Sequence, residues 1–475
     1  MVLTEQHLIR FHEILDEDEI ITQTSDPTLY STETQCWSAQ HDCHPQLILR
    51  PKSITALQTL LPYLYDAPVE FAVRSGGIGN ASARDVVLSM RAFDQVNFDP
   101  DTEILTVGAG MLWGEVEKEL QKVAEGYAVL CARVPYVGVA GSILHGGFSW
   151  LSHEYGLMSD PHNLLDAQVI LSDGRVLWAN EEGESALLWA LRGGGGNFGV
   201  VTAFKLRARK YPQRILGGTI IFPESSLEAV SRGVSAFTET ITDPKVSMHV
   251  YFLEPRNPFF PFPAGVGLMI FDANGEEHGR GKDGFKWAFD IEGAIDMTKE
   301  MTLFEVHDAT AYSSISKGAT DSWLCQVLIT VIDPEFLVRA FKWYKRVLDT
   351  NEDFGSGSFV LLELTQKAAL TSSGSPGATA WPHQFHYHTL GLGTGYRPGS
   401  LCTEEQALGL LRQGLEEITN EPIKEKELEF FPNFEGNFTD SSKTFGENYK
   451  KLRKLKSLYD PKCRFKGLLP IEPWD

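Results

Sequence analysis

Glycine clusters recur in this chain where short β-branched segments end. Ser75-Gly76-Gly77-Ile78-Gly79-Asn80 follows Val69-Glu70-Phe71-Ala72-Val73, and Gly108-Ala109-Gly110 follows Glu103–Val107. Pro135-Tyr136-Val137-Gly138-Val139-Ala140-Gly141-Ser142 comes next, with Gly146-Gly147 close behind. A strand that runs into glycines lets backbone approach a ligand closely, and the exposed N–H groups form nests that suit a pyrophosphate without a basic side chain. Clusters this far apart can serve one site only if the ligand is large. Each loop alone is more often a structural turn than a ligand site. The G-x-G-x-x-G fingerprint with its distal acid is not convincingly present, so a nicotinamide-binding fold has little support.

The surrounding pattern is that of a mixed α and β unit from about residue 46 to 210. Ser53 is a suitable N-cap for a helix whose Ala56, Leu57, Leu60, Leu61 and Leu64 make one apolar face. Glu103–Val107 predicts a strand, and Leu112, Val116 and Leu120 mark a helix after it. Asp173-Gly174 between Ala167–Leu171 and Val176–Trp178 predicts a hairpin. The helix over Ala186–Leu191 stops at Gly193-Gly194-Gly195-Gly196, and Val200–Phe204 resumes a strand. Beyond about residue 212, longer stretches of period-two alternation are separated by Pro-rich and Gly-rich turns, as in an α+β unit built on an antiparallel sheet. A basic amphipathic helix over Phe445–Pro461 follows, with no compositional sign of which unit it joins.

At 475 residues the chain exceeds what one hydrophobic core sustains, so two units are expected. A formal net charge of −21 disfavours nucleic acid and anionic lipid surfaces as partners. No apolar stretch is long enough for a bilayer crossing, and Met1–Arg10 lacks the pattern of a secretory signal. An intracellular, cytoplasmic setting is therefore the expectation. The six cysteines, at 36, 43, 131, 325, 402 and 463, form no Cys-x-x-Cys pair, and most are expected as free thiols, with Cys36 and Cys43 the pair able to bridge under oxidising conditions. His41-Asp42-Cys43-His44 holds metal-ligand residue types, but adjacent positions rarely converge on one ion, so no metal is expected.

Taken in order, several segments resemble one family. Pro45–Pro51, the loop Arg74–Asn80, Val107–Gly110, Pro135–Ser142 with Gly146-Gly147, and Trp189–Thr202 are similar to the FAD-binding domain of the berberine-bridge-like oxidases of the vanillyl-alcohol-oxidase type. Gly446–Tyr449, Tyr459-Asp460-Pro461 and Phe465 resemble that family's last segment. An ordered set of motifs is far more specific than any one of them. The resemblance implies an α+β fold in two units: a PCMH-type FAD-binding domain over residues 1–210, with its core at about 45–210, and a substrate-binding domain over 211–424. The latter's antiparallel sheet would lie over the flavin, and residues 425–475 would return to the first unit. It further implies FAD as cofactor. Arg74, Ser75, Gly76, Gly77, Ile78, Gly79 and Asn80 would surround the pyrophosphate, Val137, Gly138, Gly141, Ser142 and Gly146 the flavin-side loop, and Gly199 and Val201 the adenosine half.

The chain departs from that family where the chemistry sits. The histidine that many members bond to the flavin methyl group is Ile78 here, and the position of the second, cysteinyl bond is Val134, with Cys131 three residues away. Non-covalent FAD is the expectation. The family's Tyr-x-Asn-Tyr segment reads Phe431-Pro432-Asn433-Phe434, its His-Arg pair reads His383-Gln384, and the histidine that faces the flavin pyrimidine is Ser142. A hydroxyl oxidation needs a group to take the proton, and the phenol is missing. Replacement catalytic candidates are Glu363, a charge in an apolar strand where burial would raise its pKa, together with His383, His386 and His388. Alternation puts His386 and His388 on one face of their strand.

These readings predict an FAD-linked oxidoreductase acting on a small organic substrate, by family habit a secondary metabolite. Val137 stands where valine accompanies oxygen reactivity in the family, which points to oxygen as acceptor. The alternative is a non-redox cyclase or isomerase on the same fold, using the acid–base residues of the substrate sheet. Nothing in the sequence speaks to oligomeric state.

Overall fold

The computed structural model describes residues 3–79, 81–253, 265–311, 317–371, 373–383, 388–420, 429–434 and 440–474. Two small sheets organise the first unit. In one, Leu47–Leu49, Val86–Ser89 and Phe71–Arg74 run parallel, with Ile20–Ile21 antiparallel on the outer edge. The helix Ile54–Asp66 supplies the crossover, and Ser53 caps it by accepting from Ala56 N at 3.1 Å. In the other, five strands pair antiparallel in the order Val96–Asp99, Ile104–Gly108, Val200–Arg207, Leu164–Ile170, Val176–Ala179. The expected hairpin at Asp173-Gly174 joins the last two, with Gly174 at φ +84°.

The second unit is an eight-stranded antiparallel sheet. Its order is Ile295–Met301, Ile215–Pro223, Gly265–Asp272, Val246–Leu253, Phe359–Leu364, His388–Tyr396, Asp321–Ile329 and Glu429–Phe430. Alternation gives the sheet two different faces. Met248, Val250, Leu268, Ile270, Leu362, Leu390, Leu392 and Val327 share one and form a core with the helices Leu227–Thr240, Phe336–Thr350 and Glu404–Thr419. Ser247, His249, Phe271, Glu363, Thr389, Gln326 and Leu328 share the other, which turns to the first unit; Phe271 and Leu328 belong to that unit's core.

The C-terminal segment touches both units. Glu429–Phe430 adds an edge strand to the large sheet, after which the helix Tyr449–Tyr459 packs on Ser185–Leu191. The ammonium of Lys456, wholly buried in that helix, donates to Asn197 O at 2.8 Å and Phe465 O at 2.6 Å and pairs with Asp460 at 2.6 Å. Arg464 donates to the carbonyls of Leu64, Ala67 and Val69. The basic character of this helix is thus partly interior: a buried cation ties the Asn197 carbonyl beside the glycine run to the Phe465 carbonyl of the C-terminal segment. Among the described residues no helix is long and apolar enough to cross a membrane.

Candidate functional site

The glycine loops meet each other backbone to backbone. A Cβ on Gly76 would lie 2.6 Å from Gly138 N, and one on Gly138 would lie 2.4 Å from Gly76 N and 2.7 Å from Ser75 Oγ. Only glycine permits that approach. Ser75 Oγ donates to Ala109 O at 2.7 Å, tying in the third glycine segment. Gly77 has φ +73° and covers the Arg74 guanidinium so closely that a Cβ would fall 2.0 Å from Nη2. Arg74 is 1 % exposed; Nη2 donates to Gln35 O at 2.7 Å, while Nη1 has no hydrogen-bond partner among the described residues. Gly79 and Gly141 have open space where a Cβ would stand. A backbone cradle with open rims and a buried cation beneath it suits a bound pyrophosphate.

Other residues expected at the cofactor are accounted for by protein packing. Gly146, at φ +102°, lies against the Trp381 ring, and Gly199 lies against Val169 and Ile170 O. Val201 is buried in its strand, opposite Val169. Val137 closes its loop, its N–H donating to Val134 O at 3.2 Å and its carbonyl accepting from Trp113 N at 3.0 Å. The Ser142 hydroxyl accepts from Trp113 Nε1 at 2.7 Å and donates back to Gly138 O at 3.0 Å, so it is spent inside the loop. Asn433 docks here too, accepting from Gly147 N at 3.1 Å and donating to Ser142 O at 3.2 Å. Ile78 is half-buried in the first loop, whereas Asn80 and His386 lie outside the described residues.

Facing these loops is the polar side of the large sheet. Glu363 sits there 1 % exposed. Gln326 Nε2 and Thr389 Oγ1 donate to its Oε2 at 2.8 and 2.6 Å, and the Arg133 guanidinium pairs with its Oε1. Arg133 also donates to His249 Nε2 at 2.9 Å and lies over the Phe148 ring. His249 stacks on Trp150 with centroids 4.0 Å apart. Burial, with Arg133 second, pushes His249 well below its ordinary range and His153 down to about 4. Burial and then His153 push His388 down to about 3. The imidazoles around this guanidinium are therefore neutral at physiological pH.

Glu363 differs from the lone charge expected of it: a guanidinium pairs with it and two neutral donors hydrogen-bond to it. His388 also differs from expectation. Its register partner is Ile329, so it shares the parity of the apolar face, and its buried Nδ1 accepts from Thr365 N at 3.2 Å. His383 stands elsewhere, stacked on Trp381, with Nδ1 donating to Trp381 O at 2.7 Å and Nε2 3.3 Å from Asp160. Arg133, His249 and His153 went unnoticed in the sequence. The first two left a signal: Arg133 is a lone charge after the apolar run Val129-Leu130-Cys131-Ala132, and Ser247 and His249 alternate with Val246, Met248 and Val250.

All six cysteines are free, Cys36 and Cys43 included. Cys131 is buried against His307, 3.7 Å from Nδ1, which donates to Glu117 Oε1 at 2.7 Å. Glu117, Cys131 and His307 could together ligate a metal, but the nitrogen–oxygen separation is that of a hydrogen bond. The trio ties the helix Trp113–Val123 of the first unit to Leu303–Asp308 of the second.

Comparison with known proteins agrees with this geometry. Residues 45–180 match the family model described as FAD binding domain. An uncharacterized FAD-linked oxidoreductase of Arthroderma benhamiae is 32 % identical over 229 residues, covering 46 % of this chain and 45 % of that protein. The (R)-6-hydroxynicotine oxidase of Paenarthrobacter nicotinovorans is 33 % identical over 196 residues, covering 40 % of this chain and 42 % of that one. The matches thus span a little under half of either relative's length. The berberine-bridge-like protein 1 of Physcomitrella patens superposes with a TM-score of 0.80 at 16 % identity, covering 98 % of this chain and 99 % of that one. An ordered set of glycine loops, a matched domain and a common fold converge: this chain carries an FAD binding domain, and berberine-bridge-like proteins are among its relatives and its structural neighbours.

Proposed function

We propose that this chain is an FAD-linked oxidoreductase, an oxidase that dehydrogenates a small organic substrate held between the glycine loops and the polar sheet face. The observation that carries the reading is the Arg133–Glu363 pair, which stands on that face opposite the loops. When bound, FAD supplies the hydride acceptor. Ser75, Gly76, Gly77 and Gly138 would hold its pyrophosphate and flavin-side edge, with Arg74 beneath. Glu363 is the candidate to take the substrate's proton at a carboxylate oxygen, with Gln326 and Thr389 fixing its orientation and Arg133 balancing its charge. The cyclase or isomerase alternative needs a proton donor here. Among the described residues this face offers a paired carboxylate and neutral imidazoles instead, which favours oxidation.

Non-covalent attachment is part of the proposal, since Ile78 and Val134 carry no nucleophile and Cys131 is engaged with His307. Oxygen as acceptor and a secondary metabolite as substrate complete the proposal as family expectations. The deciding experiment adds candidate substrates to yellow protein without air, where bleaching of the flavin is expected, followed in air by peroxide in step with product. Anaerobic turnover to an isomeric product with the flavin still oxidised would overturn the reading. Glu363→Gln should lower the rate by about 10²–10⁴-fold with flavin content unchanged. Acid precipitation should leave the pellet colourless and the flavin in solution.

A further inference from the structure

One cation from the second unit reaches into the first-unit loops. Lys317 Nζ donates to Gly76 O at 3.2 Å. Its backbone is fixed in place: Gln35 Nε2 donates to Lys317 O at 2.8 Å, Gly318 N to Trp37 O at 2.8 Å, and Ala39 N to Thr320 O at 2.8 Å. The segment 35–39 of the first unit and 317–320 of the second are thereby laced together beside the loop. Trp37 in turn stacks on Tyr136, 5.7 Å between centroids, at the second glycine loop.

The charge around Gly76 and Gly77 is lopsided. Arg74 lies buried under Gly77 with Nη1 unpartnered, and Lys317, half-buried, makes no ion pair among the described residues. Glu33 and Asp42 are the carboxylates that act on this pair; Glu33 is engaged by Ser89 Oγ at 2.9 Å, and Asp42 by His44 N at 2.9 Å. Arg91 is already paired with Glu115, and the Cys36 thiol is pushed up by burial. Burial first and the Arg74 charge second push Lys317 down to about 8. Two cations held against each other away from water are relieved by an anion, and one of them keeps enough exposure to meet it.

We propose that Lys317 is a phosphate-binding residue of the FAD site, contributed by the substrate unit and closing over the Gly76–Gly77 loop onto the cofactor's pyrophosphate. The proposal rests on the FAD reading above. It makes the second unit part of the cofactor site, so that flavin retention depends on how the two units dock.

The test is equilibrium binding to flavin-free protein, with FAD, ADP and riboflavin as probes. Wild type should bind FAD, and Lys317→Met, which keeps the apolar stem, should weaken FAD and ADP alike by about tenfold while leaving riboflavin unchanged. The salt dependence of FAD affinity should flatten in that variant, and Lys317→Arg should retain most of the affinity. Wild-type affinity should fall as pH rises past about 8, where the ammonium is lost, and the Lys317→Met profile should be flat there. Unchanged FAD affinity in Lys317→Met would overturn the proposal. So would a loss seen with riboflavin but not with ADP, which would put Lys317 at the ring instead. Wild type that binds none of the three probes would overturn the FAD reading itself.

Discussion

The two faces of the eight-stranded sheet come from the same strands, yet they are solved differently. Beneath the helices, Met248, Val250, Leu362, Leu390 and Val327 fill space with interchangeable hydrocarbon. One residue along each strand, His249, Glu363, Thr389 and Gln326 form a buried polar row in which each group depends on a named partner. Apolar packing tolerates substitution at a graded cost, whereas a polar network is all or nothing, because one missing partner strands a desolvated charge. The first face holds the unit together. The second holds a geometry, and draws its cation from the other unit.

Breaking the polar face should produce the largest stability effect. Arg133→Met leaves the Glu363 carboxylate buried without its cation and should cost about 3–5 kcal/mol in urea unfolding. The double variant Arg133→Met, Glu363→Gln should recover most of that loss without recovering activity; if the double variant is no better than the single, Arg133 acts by packing on Phe148 and not by charge. On the apolar face, Leu362→Ala should cost about 3 kcal/mol, with flavin affinity unchanged. A selective loss of flavin there would show that the two faces are not separable.

Acid should sharpen the contrast further. His153 and His388 are held down to about 4 and 3 in the folded protein, while the unfolded chain titrates near 6.5. Their neutral forms therefore cost nothing above 6.5, and as pH falls from 6.5 toward 4 the unfolded state takes up protons that the folded state refuses. Between pH 7 and 5 each should remove about 2 kcal/mol of stability. Paired urea melts of wild type and His153→Gln should show an acid loss smaller by about that amount in the variant. The smallest effect expected is Thr389→Val, about 1 kcal/mol for one donor to Glu363, read by thermal shift.

A comparison of two glycines tests the loop in the same spirit. Gly77→Asp would drive a Cβ into Arg74 from a backbone at φ +73°, so it should lose flavin and stability together. Gly79→Asp meets open space, and should lose flavin with the melting temperature unchanged. Retained flavin in Gly79→Asp would move the pyrophosphate away from this rim.

Much of the frame was legible along the chain. The Ser53 cap, the Asp173-Gly174 hairpin, the stop after Leu191 and the period-two strands are local rules of backbone sterics and burial, and each appears where its residues stand. The glycine loops could be ordered into one family pattern for the same reason: close approach of backbone needs glycine at those positions and nothing from afar. Ile78 and Val134, likewise, lack a nucleophile whatever surrounds them.

The tertiary structure alone decided the chemistry around those loops. Glu363 reads in sequence as a lone buried acid, and it becomes a paired acceptor only when Arg133 arrives from the other unit. His388 looked like a companion of the site until register placed it opposite Ile329. Lys317 carried no motif at all, and gains meaning from the loop it touches. Periodicity records which way a side chain points along its own strand, but a charge takes its properties from whatever desolvates and faces it. Those neighbours are set by how the two units dock.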